Sequence, residues 1–289
     1  MGGAYMTYEE IKTKVSNALV EAGSKFRDDQ KEAYKNAIDS EKNENAKWVL
    51  EMILKNSEIA ESNYSPLCDD TGIPHLILEV GEECAVTGKM LEAIRDGIAE
   101  GLKKLPGRPM AIIGNDIQRI DQSYGINPDP AGVEAAPILL YQSQENSIRL
   151  HILMLGGGPA IRAKTFRIFH QHSIRVVMDE IVKWSIDGVS QLGCSPCTLA
   201  IGIGRSHFEA SAMMLRAQVE GKFGVQNELE KEITSRVNNA DIGPLGLHGN
   251  HSVLATFLKV GPQRASGVRI VCVRPMCCFE PRLATVVLI

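Results

Sequence analysis

The reactive side chains of this 289-residue chain are dominated by its cysteines. A thiolate can be a nucleophile, a redox group or a metal ligand, but a free cysteine is most often a small buried hydrophobe. A functional role must therefore come from the residues around each one. The cysteines are Cys68, Cys84, Cys194, Cys197, Cys272, Cys277 and Cys278.

The first cysteine lies in LCDDTG, a sequence typical of a turn. Such a turn would hold the thiolate of Cys68 near the carboxylate of Asp70. The alternative is a turn in which Asp69 and Asp70 only cap backbone N–H groups. Local chemistry leaves both interpretations open.

Cys194 and Cys197 have C-x-x-C spacing, which allows two generic interpretations. A zinc site would need a second ligand pair at similar spacing, and the adjacent Cys277 and Cys278 suit a tetrahedral site poorly. A thioredoxin-like redox motif would open a helix, whereas the TLAIGIG that follows predicts a strand. Neither interpretation fits the pattern well.

Two glycine-containing segments could bind ligands. In GGGPAIRAKTF, three glycines at a strand end would expose backbone N–H groups to an anion, and Arg162 and Lys164 could add positive charge. The same run could be an ordinary turn. In IGPLGLHGNH, His248 and His251 could be ligands or proton carriers, although a pair at this spacing outside a helix is usually incidental.

The composition excludes several classes of protein. A net charge of -4 and a pI near 6.0 argue against nucleic-acid binding. With 44% hydrophobic residues the chain can bury a core, yet no apolar run is long enough for a membrane span. The first ten residues lack the pattern of a secretory signal, so a cytoplasmic location is expected.

The alternation of patterns predicts an α+β fold with mixed sheets and surrounding helices in a single domain, 1–289. Residues 1–62 are predicted to be a helical N-terminal segment, whose first helix has capping-box spacing at Thr7 and Glu10, and 63–289 the core. A helix is expected from Gly88 to Lys104, and PILLYQ with SIRLHILML is expected to form a β-hairpin.

Five segments resemble, in order, the α portion of class I fumarases and L-tartrate dehydratases. That family has a C-Q-D-T-G turn, a K-G-G-G-S-x-N-K-like segment, C-P-P running into G-x-G-I-G-G-T, I-G-P-M-G-x-G-G, and a final C-x-A-x-R. The segments here are LCDDTG, LGGGPAIRAKTF, CSPCTLAIGIGRS, IGPLGLHGN and CFEPR. They span Cys68 to Arg282, most of the chain.

The resemblance implies a 4Fe–4S cluster held by Cys68, Cys194 and Cys278. Counting back from GIG favours Cys194 over Cys197, and counting back from the arginine favours Cys278 over Cys277. Three protein ligands leave one iron open, unlike an electron-transfer cluster. That iron would act as a Lewis acid in the hydration or dehydration of a small dicarboxylic hydroxy acid, which is fumarate/malate-like or tartrate-like.

The resemblance also implies the residues that contact substrate. Asp70 matches the motif aspartate, a candidate acid in proton transfer, and Asp69 stands where the family has glutamine. Arg108 resembles the arginine that grips a substrate carboxylate, and Lys164 falls near the family's lysine. The other substrate-binding candidates are Asn127, Gly156, Gly157 and Gly158.

Some positions depart from the family pattern. GINPDPAG replaces N-T-G-D-N, two extra residues precede Lys164, and Gln263 or Arg264 stands in place of a histidine. The stretch before Cys278 is also longer. These changes bear on the identity of the substrate more than on the reaction class.

In this family the proton-abstracting base comes from a β portion. The sequence ends shortly after the last α motif, so the chain is expected to pair with a β subunit in a heterodimer or heterotetramer. Two alternative hypotheses are a non-catalytic relative and a zinc or thiol-redox protein. The latter would use Cys194, Cys197, Cys277 and Cys278.

Overall fold

A computed structural model describes residues 6–105 and 107–289, which form α-helices and two mixed four-stranded sheets. The predicted α+β class is confirmed. No helix in these ranges is long and apolar enough to cross a membrane. The prediction that no secretory signal is present falls partly on residues 1–5, outside the described residues.

The elements are numbered in chain order. The α-helices are Tyr8–Ser24 (α1), Asp28–Ser40 (α2), Glu44–Asn63 (α3), Gly88–Lys104 (α4), Asp116–Asp121 (α5), Gly157–Arg162 (α6), Ile174–Ser190 (α7), His207–Glu220 (α8) and Glu228–Asn238 (α9). The strands are Ile73–Gly81 (β1), Leu139–Ser143 (β2), Ile148–Leu155 (β3), Lys164–Phe169 (β4), Cys197–Gly204 (β5), Val253–Val260 (β6), Val268–Met276 (β7) and Leu283–Val287 (β8).

The chain forms two compact units, each made of separated stretches and each containing one sheet. The boundary between the helical segment 1–62 and the core 63–289 stays a prediction. Unit 1 comprises the described residues within Met1–Lys25, Ser57–Gly156 and Arg282–Ile289, and unit 2 comprises Phe26–Asn56 and Gly157–Pro281.

In unit 1, helices α1 and α4 cover one face of the sheet. The predicted capping box of α1 is present, because Thr7 accepts from the N–H of Glu10 and the Glu10 carboxylate accepts from the N–H of Thr7. The apolar side of α1 then buries Val15 and Leu19 in a core shared with the sheet. A Cβ at Gly97 of α4 would lie 2.7 Å from Val15 Cβ, so glycine permits close helix packing.

The strand order of this sheet is β2-β1-β3-β8, and the predicted hairpin between β2 and β3 is wrong. Strand β1 lies between them, parallel to β2 and antiparallel to β3. The reason lies in burial: β1 buries Leu76, Ile77 and Leu78 and takes a central position, whereas β2 is half-buried and suits an edge.

In unit 2 the order is β4-β7-β5-β6, and every residue of β5 is buried. Alternate side chains of β5 point to opposite faces. Cys197 and Leu199 belong to the core formed with α7 and α9, whereas Ala200 packs with α8. At Gly202 a Cβ would lie 2.0 Å from the carbonyl oxygen of Ala210, so α8 sits directly on the strand.

Candidate active site

The turn that carries Cys68 lies in unit 1, between α3 and β1. The N–H of Leu67 donates to the carbonyl of Gly23 at 2.9 Å and ties the turn to the end of α1. The Cys68 thiol is half-buried and lies 3.4 Å from Asp69 Oδ1. The same oxygen accepts from the N–H of Asp70 at 2.9 Å. The carboxylate beside the thiol is that of Asp69, which also caps the turn, and the predicted proximity of the Asp70 carboxylate to Cys68 stays a prediction.

A buried arginine holds the turn from beneath. Arg282 is only 1% exposed and donates from Nη1 to the carbonyl of Asp70 at 2.6 Å and from Nε to the carbonyl of Met154 at 3.1 Å. Gly72 has a φ of +86°, and a Cβ there would lie 2.7 Å from the backbone of Leu155 and 2.8 Å from Arg282 Nη2. Both the backbone angle and the arginine therefore require glycine at this position.

The electrostatics of this turn act on the thiol in opposite directions. Burial raises the pKa of Cys68, and the Asp69 carboxylate adds to the rise, while the N–H of Asp70 and the charge of Arg282 oppose it. The net shift is upward. The thiol is therefore protonated at neutral pH, and metal binding would release a proton from it.

Arg108 lies beside the Cys68 turn. The preceding residue, Gly107, packs against this turn, because a Cβ at Gly107 would lie 2.1 Å from the Thr71 methyl group. The Arg108 guanidinium then lies 3.5 Å from Asp69 Oδ2, with side chains 58% and 75% exposed. An ion pair this exposed is weak. Arg108 is thus available to bind a carboxylate near Cys68.

Asn127, also in unit 1, shapes its own loop. Its Oδ1 accepts from the N–H of Asp129 at 3.0 Å, and its N–H donates to the carbonyl of Ala111 at 2.8 Å. A Cβ at Gly132 would lie 2.4 Å from its Nδ2. The substrate-binding role of Asn127 stays a prediction.

The glycine run follows strand β3 but does not form an open loop. Gly156 comes directly after the strand, and Gly157 and Gly158 are the first residues of the six-residue helix α6, which the sequence did not predict. Arg162, at the other end of α6, donates to the carbonyls of Gln191 and Gly158. Anion binding by the three glycines stays a prediction.

Lys164 begins β4 in unit 2, and its ammonium group has partners within that unit. It lies 2.7 Å from Asp187 Oδ2 and 4.2 Å from the centre of the Trp184 ring. The hydrogen bond from Lys164 lowers the pKa of Asp187. Lys164 is therefore charge-compensated, and its catalytic role stays a prediction.

The unit 2 cysteines lie in contrasting environments. Cys194 is exposed, and its carbonyl accepts from the N–H of buried Cys278 at 2.9 Å. Cys197 begins β5 and is 0% exposed, and its pKa is raised by burial and then by the charge of Cys277. A reactive redox cysteine needs an accessible thiol with a lowered pKa. Cys197 is a core residue, which does not favour the redox hypothesis.

The histidines of the glycine-rich loop are held by neighbouring groups. His251 Nδ1 lies 2.9 Å from the buried carboxylate of Glu41, and its Nε2 lies 3.2 Å from Ser40 Oγ. His248 Nδ1 lies 2.9 Å from the carbonyl of Asp241. These contacts hold the loop in place. They agree with the interpretation that the spacing of His248 and His251 is incidental.

Within residues 6–105 and 107–289, no group of three or more His, Cys, Asp or Glu side chains could hold a single metal ion. This finding does not favour the zinc hypothesis, since structural zinc takes four close ligands. An iron–sulfur cluster makes a different demand, because each thiolate binds a different iron. A cluster can therefore be bound by thiols that are too far apart to share one metal ion, and Cys68, Cys194 and Cys278 are candidates of this kind.

Two buried features near Cys278 were missed in the sequence. Arg274 of β7 forms a buried ion pair with Glu280, across the turn that carries Cys278. The hydroxyl of Tyr34, fully buried, donates to the Cys278 carbonyl at 2.6 Å. The charge of Arg274 within the apolar strand GVRIVCVR could have indicated a buried ion pair. The sequence around Tyr34 contains no pattern that indicates its hydrogen bond.

A family model described as fumarate hydratase (Fumerase) matches residues 12–287. A Methanocaldococcus jannaschii protein, provisionally named L(+)-tartrate dehydratase subunit alpha, is 24% identical over 284 residues, which is 94% of this chain and 96% of that protein. The L(+)-tartrate dehydratase subunit alpha of Escherichia coli (strain K12) is 22% identical over 265 residues, covering 89% of this chain and 84% of the relative. The resemblance inferred from the sequence motifs is confirmed. The chain belongs to the fumarate hydratase (Fumerase) family of hydro-lyases.

Proposed function

We propose that the chain is the α-type subunit of a hydro-lyase that adds water to, or removes it from, a small dicarboxylic hydroxy acid. A 4Fe–4S cluster held by Cys68, Cys194 and Cys278 would serve as its cofactor. The observation that carries the proposal is the family match over residues 12–287, which includes all three thiols.

The environments of the thiols support this choice of ligands. Cys194 is exposed, whereas the C-x-x-C partner Cys197 is a fully buried core residue of β5. The backbone hydrogen bond from Cys278 to Cys194 holds these two residues next to each other. The family spacing also favours Cys278 over Cys277.

A cluster bound by three thiolates supplies one iron whose Lewis acidity assists the departure of hydroxide. The chain's own residues would bind and orient the substrate. Arg108 offers a planar, exposed guanidinium that can take a carboxylate in two hydrogen bonds. Asp69, which pairs with Arg108, would make a charged substrate contact where the family has glutamine, and Asp70, whose carbonyl Arg282 fixes, is the candidate for proton transfer.

The other candidates enter the proposal on the family resemblance alone. Lys164, which pairs with Asp187, would bind a second carboxylate with its remaining N–H groups, and Asn127 would donate from Nδ2 while its Oδ1 accepts from the N–H of Asp129. Gly156, Gly157 and Gly158 would contribute backbone N–H groups.

The partner and the substrate follow from the names of the relatives. Both are called subunit alpha, so we propose that this chain works with a β subunit that completes the active site. Both are called L(+)-tartrate dehydratase, so tartrate is the first substrate to assay, with malate and fumarate second. A cytoplasmic location, where thiols stay reduced, suits the cluster.

The cluster is tested by anaerobic purification followed by assays of iron, sulfide and visible absorbance. Replacing Cys68, Cys194 or Cys278 by serine is expected to remove the iron, because serine is a poor ligand for it. The matched controls are Cys197→Ser and Cys272→Ser, which alter buried thiols and should keep it. An iron-free wild type, or loss of iron in Cys197→Ser with retention in Cys194→Ser, would contradict the ligand set.

The activity is tested with the chain alone and after mixing with the β subunit. We expect little turnover of tartrate or malate by the chain alone and a large increase with the partner. Full activity of the isolated chain would contradict the need for a β subunit. An iron-loaded complex that turns over neither acid would favour a non-catalytic relative.

A further inference from the structure

Helix α2 holds the turn after β7 with two buried side chains, although it shows no motif in the sequence. Tyr34 donates its hydroxyl to the carbonyl of Cys278 at 2.6 Å. Gln30, four residues before it and also buried, donates its amide to the carbonyl of Glu280 at 3.3 Å. Residues four apart lie on the same face of a helix. One face of α2 therefore binds two carbonyls of one turn.

Aromatic packing keeps the Tyr34 hydroxyl in place. Its ring stacks on Phe26 with centroids 5.4 Å apart and an angle of 16° between the planes. The centroid of the Phe26 ring in turn lies 6.1 Å from the centroid of the Phe279 ring, and Phe279 is the residue after Cys278. The stack thus keeps the hydroxyl at the carbonyl of Cys278.

Cys278 is held on both sides of its backbone. Its carbonyl accepts from Tyr34, and its N–H donates to the carbonyl of Cys194. The buried ion pair between Arg274 and Glu280 joins strand β7 to the far side of the turn. A residue whose two peptide groups are both bound has a restrained backbone, so the direction of its Cα–Cβ bond is set in advance.

We propose that Tyr34 and Gln30 are positioning residues that hold the Cys278 thiol ready to bind the cluster and slow its release. This inference rests on the proposed function. Preorganisation lowers the entropy lost when a ligand side chain binds, and it keeps a ligand near the iron after a bond breaks. Removing the Tyr34 hydroxyl should therefore speed loss of the cluster.

The test compares Tyr34→Phe, which keeps the aromatic stack, with Tyr8→Phe. Tyr8 is a matched control because its hydroxyl bonds to Asp96 at the surface of unit 1. Both variants and the wild type are loaded with iron and sulfide, then exposed to air while iron per chain is followed. We expect loss to be about fivefold faster in Tyr34→Phe, the size expected for one hydrogen bond, and unchanged in Tyr8→Phe. Equal rates in all three would overturn the proposal.

A second readout does not need the cluster. In the metal-free protein, iodoacetamide alkylation of Cys278 is followed by peptide mass mapping, with Cys272 in the same chain as internal reference. Faster alkylation of Cys278 in Tyr34→Phe, and in Gln30→Leu as a second variant, would support the positioning. Unchanged alkylation in both folded variants would overturn it. An iron-free wild type would instead overturn the cluster proposal, leaving alkylation to decide whether α2 holds the thiol.

Discussion

The turns that carry Cys68 and Cys278 are held by different means. Around Cys68, charges lie at the surface, with Asp69 and Arg108 both largely exposed. Around Cys278, a neutral hydroxyl from Tyr34 and a backbone carbonyl from Cys194 fix the peptide, and the thiol is buried. One turn offers charge to the solvent, whereas the contacts described around the other are buried and include the ion pair between Arg274 and Glu280.

This difference indicates a division of labour. Exposed charge can bind a charged substrate but adds little to stability, because water and salt screen it. Buried neutral hydrogen bonds cannot reach a substrate, yet they position a group firmly. The Cys68 turn combines the two, since Arg282 holds it from beneath. Its outer side suits recognition, and its inner side suits structure.

The largest effect is expected from the inner side of the Cys68 turn. Arg282→Met should lower the free energy of unfolding by about 3 kcal/mol, because the carbonyls of Asp70 and Met154 lose a buried charged donor. Urea unfolding of the metal-free chain measures it. The control Arg119→Met, at an exposed guanidinium, should change stability by less than about 0.5 kcal/mol. Equal effects would mean that the turn does not depend on its buried cation.

The outer side is tested with Arg108→Gln. We expect the KM for the dicarboxylate to rise about tenfold, which corresponds to about 1.4 kcal/mol, with little change in unfolding. The control is Arg175→Gln, an exposed arginine of α7 in unit 2. Steady-state kinetics of the complex with the β subunit give the answer. A lower free energy of unfolding without a change in KM would mean that Arg108 stabilises the fold and does not bind substrate.

Strong acid should loosen the end of the helix that holds Cys278. Glu41 follows α2, and although burial raises its pKa, hydrogen bonds from Asn43, His251 and Asn250 outweigh this and lower it. Its carboxylate therefore stabilises the fold above its unfolded pKa, near 4.3, and this stability is lost as the pH falls through the lower folded pKa.

Glu41→Gln should lose about 1 kcal/mol at neutral pH and show a flatter decline of stability in acid than the wild type. Urea unfolding across the acid range measures both. Glu228→Gln, at a carboxylate that is almost fully exposed, serves as the control. Parallel curves for Glu41→Gln and the wild type would contradict the assignment.

The smallest effect is expected from salt. Near 1 M NaCl the screening length falls to roughly 3 Å, so the KM should rise about twofold. Iron retention should stay the same, because the hydrogen bonds proposed to position Cys278 are buried and neutral. If the rate of iron release increased with salt concentration as much as the KM does, the proposed difference between the two turns would be wrong.

Local signals in the sequence predicted the elements whose reasons are local. The capping box at Thr7 and Glu10 and the helix from Gly88 to Lys104 are present as expected. The hairpin prediction failed because pairing of β2 and β3 depends on β1, which competes for both strands. Strand β4 was not predicted, because its segment, GGGPAIRAKTF, was interpreted only for its charges and glycines.

At the candidate site, the sequence pointed to the groups with reactive chemistry but not to those that hold them. Asp69 and Arg108 were singled out separately, and the structure places them together. Tyr34 was not, because its hydroxyl meets a carbonyl 244 positions away in the chain. A backbone acceptor has no residue type, so no motif could reveal this contact.

The interleaved course of the chain has a consequence for its biosynthesis. The Cys68 turn is held by Arg282, which follows Asp70 by 212 residues, and β8, which pairs with β3, lies beyond it. A growing chain on the ribosome therefore exposes Cys68 long before its support exists, and Tyr34 is likewise made long before Cys278. Under the proposed function, iron and sulfide would therefore be inserted into the finished polypeptide, because a nascent or truncated chain would offer only thiols whose supporting contacts are missing.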